Sequence, residues 1–193
     1  METTKMTPEK SFELITQMIQ EAKLKFEESG LIYMLWGALI AVASFGQFVL
    51  LRLEYYNINY FPYFLMPLGA VYTSYYYAKK KRSRRNQIGQ IVSAAWIVIA
   101  LNLMILGFFF SPLFKELLIP VLLILMSVGM ITSGAAIRSR LLLFSGAFIN
   151  LSAFAGFALA WIYQPLLSGI VAIVAILIPG IVLMRRYKQR NHV

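Results

Sequence analysis

The chain contains no cysteine and no aspartate, and its single histidine is His192. Without thiols there is no disulfide framework, no thiolate metal site and no thiol nucleophile. Without Asp or an internal His, most other catalytic and metal-binding constellations fall away too. Charge is also scarce. Asp, Glu, Lys and Arg make up 13% of the 193 residues, and 18 Lys and Arg face 8 acids, all Glu, for a formal charge of +10. What fills the chain instead is apolar: 60% of residues are hydrophobic and 15% aromatic, with a mean hydropathy of +0.70. Soluble domains carry about 25% charged residues. This composition is that of an integral membrane protein, whose positive charge must crowd into the short segments outside the lipid.

Six stretches approach or exceed the roughly 20 residues that a helix needs to cross a ~30 Å hydrocarbon core. They are 31–51, 61–78, 88–110, 117–137, 141–161 and 166–184, and no Asp, Glu, Lys, Arg or His lies inside any of them. The remainder is an N-terminal segment 1–30, a basic tail 185–193, and connectors too short for anything but antiparallel neighbours. The expected fold is therefore all-α and polytopic: six transmembrane helices preceded by a cytoplasmic or interfacial amphipathic helix. Three hairpins follow one another, but their prolines (Pro67, Pro120, Pro179) fall at different depths, so no sequence repeat is demonstrable.

Basic loops stay in the cytoplasm. Sixteen of the 18 Lys and Arg fall on one side of the six-span arrangement: in the N-terminus, in the connector bearing Lys79, Lys80, Lys81, Arg82, Arg84 and Arg85, at Arg138 and Arg140, and in the tail. Arg52 and Lys115 fall on the other side, each near an acid, Glu54 or Glu116. Both termini are thus expected in the cytoplasm. The six-residue basic run reads first as a topology determinant and second as a contact for anionic lipid. So short a loop offers no groove-fitting or stacking element for nucleic acid. Glu2, Glu9 and Glu13 interrupt any signal-peptide pattern, so the N-terminus is expected to be retained.

Thr7-Pro8 is a helix start. From there Phe12, Ile15, Ile19, Ala22 and Phe26 recur at three- and four-residue steps and form an apolar stripe. A helix lying on an anionic leaflet is usually basic, whereas this segment carries six Glu against four Lys. An apolar stripe with an acidic bias suits docking on protein: the chain's own basic loops, a second copy or a partner.

Within the spans, Gln47, Gln90, Asn102 and Asn150 read as interhelical hydrogen bonders. Ser152, Gly156 and Ala160 form a small-residue stripe for helix packing, and Gly129 with Ser133 a shorter one. Pro179 lies well inside the last span and releases the carbonyl of Ala175, so with Gly180 it should kink that helix. No residue is expected to be catalytic, and no cofactor or metal is expected.

Several strings occur together in a set order: Lys10-Ser11 leading into the amphipathic helix, Trp36-Gly37, Pro67-Leu68-Gly69, Gly129 through Arg138, and Ile178-Pro179-Gly180. The chain resembles, over nearly its full length, a family of small uncharacterised bacterial inner-membrane proteins of six spans. That resemblance implies a multi-pass protein of the bacterial inner membrane. Members are often encoded near small winged-helix transcriptional regulators, which supplies a candidate partner and no activity.

The expected function is non-enzymatic: binding a cytoplasmic or membrane partner, or a second copy as a homodimer, through the N-terminal helix, in a regulatory or membrane-stress role. The alternative is a small-solute transporter or channel, or an exporter permease subunit, in which Gln47, Asn102 and Asn150 would line a polar path. A lipid-acting membrane enzyme ranks third, for want of converging acids and bases.

Overall fold

The computed structural model describes residues 13–21, 30–79 and 87–191, and among these it is all-helical, with no strand. A helical segment at 13–21 (α1) precedes α2, Gly30–Arg52. Two 3-10 turns, Tyr56–Ile58 and Phe61–Phe64, lead into α3, Leu65–Lys79. Then come α4, Gln87–Phe108, the short α5, Ser111–Phe114, a 3-10 turn Lys115–Leu117, and α6, Leu118–Ala136. After α7, Arg140–Ala158, a 3-10 turn Trp161–Tyr163 opens the last rod. It consists of α8, Gln164–Ala172, a π-helical turn Ile173–Leu177, and α9, Ile178–Asn191.

Five stretches are long and apolar enough to cross a membrane: Gly30–Arg52, Gln87–Phe108, Ser111–Ala136, Arg140–Ala158 and Trp161–Gln189. The sixth expected span, 61–78, differs. Pro62 and Pro67 have no N–H to give, so its first turn is 3-10 and the α-helix proper is only 15 residues long. This segment nevertheless lies antiparallel along α2. Pro62 meets Gly46, Leu39 meets Gly69, and Trp36 Nε1 donates to Thr73 Oγ1 at 3.1 Å.

Small residues set the tightest packing. A Cβ added at Gly30 would stand 2.7 Å from the Met184 amide nitrogen, one at Gly37 2.6 Å from that of Leu177, and one at Gly180 2.7 Å from that of Met34. Gly30, Gly37 and Ser44, spaced seven apart, thus turn one face of α2 onto the α8–α9 rod, so that the two run antiparallel. α6 and α7 form an equally close hairpin, with Gly134 against Leu142 and Leu143, Gly146 against Ile131, and Gly156 against Pro120.

The core consists of Leu123, Met130, Ile137, Leu142, Ile149 and Ala153 from that hairpin, Val171, Ala172, Ala175, Ile176 and Leu183 from the rod, and Tyr33 and Ala41 from α2. α3 buries only Gly69, and α4 only Val92 and Ile99, so both are outriggers of this core. Large apolar side chains such as Phe61, Phe109, Phe144 and Leu151 stand on the outside, as lipid contact requires.

Candidate functional site

The buried polar side chains sort into separate levels. Near the α2 start, Trp96 Nε1 donates to Ser133 Oγ at 2.8 Å, and Ser133 donates in turn to the Gly129 carbonyl at 2.7 Å. Tyr33 stands edge-on to Trp96 at 6.2 Å, so α2, α4 and α6 meet at this level. Within the α6–α7 hairpin, Asn150 Nδ2 donates to Ser127 Oγ at 3.0 Å. Near the α2 end, Ser44 bridges Tyr63 at 3.1 Å and Ser168 at 3.2 Å, tying the 3-10 turn and α8 to α2.

Beside this last group lies a pocket of about 440 Å³, lined by Gln47, Tyr60, Lys115, Glu116, Trp161 and Gln164 among others. The two glutamines form its buried polar part, at 3% and 4% exposure. Asn59 Nδ2 donates to the Tyr56 carbonyl, which leaves Asn59 Oδ1 to accept from Gln47 Nε2 at 3.0 Å. That relay sets the amide orientation of Gln47 and leaves its Oε1 buried without a partner. Gln164 Nε2 is likewise committed, to the carbonyls of Gly156 at 3.1 Å and Leu159 at 3.3 Å, where it caps the end of α7. On the rim, Lys115 and Glu116 are exposed, and Lys115 holds φ 45. Partial burial raises the Tyr60 phenol above its usual range, which keeps it a neutral hydroxyl.

Of the apolar stripe, Ile15 and Ile19 lie in α1, while Phe12, Ala22 and Phe26 lie outside the described residues. Ile15 is 51% exposed and Ile19 half-buried. In the basic connector only Lys79 is described, at the end of α3, exposed and 5.8 Å over the Tyr75 ring. Lys80, Lys81, Arg82, Arg84 and Arg85 lie outside the described residues.

The small-residue stripe is shorter than its spacing implies. Ser152 and Gly156 are buried, but α7 stops at Ala158, and Ala160 is exposed in an extended link at ψ 135. The reason is the Gln164 cap, which takes up the last carbonyls and lets the chain turn toward α8. At Pro179 the helix adapts by widening. The Ile178 N–H bonds to the Ile173 carbonyl five residues back, one turn before the proline. Gly180 is the point of close approach to α2.

Sequence spacing also signalled features beyond those singled out above: the seven-residue period of Gly30, Gly37 and Ser44 marks the α2 face. The pocket had no such signal, because its walls come from α2, α6 and α8 and from the connectors between the helices. Among the described residues, no three His, Asp or Glu side chains gather to hold a metal ion. No protein-family model matches the chain, and no curated protein or solved structure matches it either.

Proposed function

We propose that this chain is a non-enzymatic integral membrane protein of the bacterial inner membrane that docks on a second protein surface, a partner's or another copy's, through its N-terminal helix. The observation that carries this reading is the 51% exposure of Ile15 at the centre of the apolar stripe. Glu13 and Glu21 bound the same segment, so the face offered is apolar with an acidic border, which suits a basic protein surface. The ends of α3, α6 and α9 and the starts of α2 and α7 gather Lys79, Arg138, Arg140, Arg185, Arg186 and Lys188 at one end of the bundle, which supports a cytoplasmic face there. A regulatory or membrane-stress role suits a protein that offers an exposed apolar helix face for docking.

The transporter alternative needs one continuous polar path. Asn102 is exposed and bonds back to the Val98 carbonyl at 2.8 Å, Asn150 is engaged with Ser127, and Gln47 stands in the pocket at the far end, so the three line no common route. The docking reading is tested with two double variants. Ile15→Ser with Ile19→Ser removes the stripe, and Glu13→Lys with Glu27→Lys keeps it while inverting the local charge. Retention of the partner or of the dimer after detergent extraction should fall in both, and amide exchange over residues 8–28 should rise. Full retention by the Lys variant at low and high salt would refute the electrostatic part, and tighter binding of that variant to anionic vesicles would make the helix a lipid anchor.

A further inference from the structure

The pocket beside Gln47 takes no part in the docking reading and stands at the opposite end of the bundle. Its buried polar part is dominated by acceptors. Gln164 Nε2 places its two hydrogens on protein carbonyls and Gln47 Nε2 places one on Asn59 Oδ1, so the two side-chain oxygens, with one Gln47 N–H, are what the amides have left to offer. Gln47 Oε1 is buried and unpartnered, and the Asn59 relay prevents the amide from turning over to present a donor instead. A carboxylate or phosphate placed here would set acceptor against acceptor, and an apolar guest would leave the oxygen unpaired. What fits is a donor with several hydrogens. The other walls agree: Tyr60 and Trp161 are rings of the kind that attract cations, and Glu116 supplies a negative charge at the rim. Lys115 beside it adds one positive charge, the complement of an anionic group a few bonds away from the amine.

We propose that this pocket binds the primary ammonium of a zwitterion, the amine donating to the Gln47 and Gln164 oxygens and the anionic group facing Lys115. About 440 Å³ lies in the usual range for small-ligand pockets, roughly 300–1,000 Å³. Two sources offer this chemistry: the ethanolamine headgroup of a phospholipid, which the site's position at the helix ends would meet at the membrane surface, and a soluble zwitterion such as phosphoethanolamine.

The experiment uses the full chain in phosphatidylcholine nanodiscs, reading thermal stability and bound adducts by native mass spectrometry. Phosphatidylethanolamine is incorporated in one arm; phosphoethanolamine and phosphocholine are added in solution in two others. Quaternary choline has charge but no N–H, so it satisfies the rings and not the glutamine oxygens. The primary amine is expected to bind about tenfold more tightly than its choline counterpart, the worth of one charge-assisted hydrogen bond. Binding in the lipid arm alone assigns the source to the bilayer, and competition by phosphoethanolamine assigns it to solution; either supports the site. Equal binding of amine and choline, or adducts with neither, overturns the proposal. Gln47→Leu should erase the preference. Because Gln47 also holds Asn59, the exposed-rim variant Glu116→Gln provides a second reading that leaves the fold alone: it should weaken binding of amine and choline alike, and undiminished affinity for the amine in it also overturns the proposal. None of these outcomes depends on the N-terminal helix.

Discussion

At the scale of single residues, the same amino acid is indispensable at one place and dispensable at another. A Cβ at Gly37 would meet the Leu177 backbone at 2.6–2.8 Å, and backbone cannot give way as a flexible side chain can. Gly37→Val should therefore force α2 off the rod, costing about 3 kcal/mol or more. Gly107, inside α4 with nothing within 4 Å, needs no such room. Gly107→Ala should raise stability by up to about 1 kcal/mol through helix propensity alone. Thermal unfolding in a single detergent compares the two directly. Arg138 offers a third case. It holds φ 51 just past α6, where Ser139 N–H reaches back to the Gly134 carbonyl at 2.8 Å, a helix ending that glycine suits best. Arg138→Gly should raise the melting temperature by the equivalent of roughly 1 kcal/mol, while removing one positive charge from the basic end.

Among elements, the π turn at Ile173–Leu177 is one residue inserted into an otherwise regular helix, so the faces on either side keep the registers they would have without it. Deleting Val174, which is exposed, should convert the turn to α-helix and leave both Phe45 on Gly169 and Gly30 on Gly180 in place. Deleting Ile170 should instead rotate Val171 and Ala172, which lie between it and the turn, by about 100° and take them out of the core. Folded yield and amide exchange over 173–178 distinguish the two. Much of this architecture was legible in the sequence, because a long apolar run without charge has few alternatives to a helix in lipid. The end of α7 was not legible. Leu159, Ala160 and Trp161 continue the apolar run, and only the reach of Gln164 back to two carbonyls ends the helix. The seven-residue face of α2 was legible but sits at a longer spacing than the four-residue stripe of α7. The pocket was illegible for a different reason, since residues 47, 60, 115–116 and 161–164 become neighbours only after the helices have packed.

For the molecule as a whole, the distribution of charge makes orientation measurable. Because the chain has no cysteine, single Cys residues at Asn57, Arg84 and Gln189 can be compared on a clean background. An impermeant thiol reagent on intact cells should label the Asn57 variant and spare the other two, and labelling at Arg84 would invert the topology. The pairing of α2 with the α8–α9 rod has a consequence in time. During translation α2 leaves the ribosome before, and its mate after, every helix between them, so the glycine face lies open to lipid while α3, α4, α6 and α7 are inserted. Lipid tails fill such a notch poorly, and any other helix in the membrane with a matching row of small residues competes for it until the α8–α9 rod is made. The contact of α2 with the rod thus forms by closure of early on later sequence, and a nascent chain stalled before residue 164 carries an adhesive seam that the folded bundle hides.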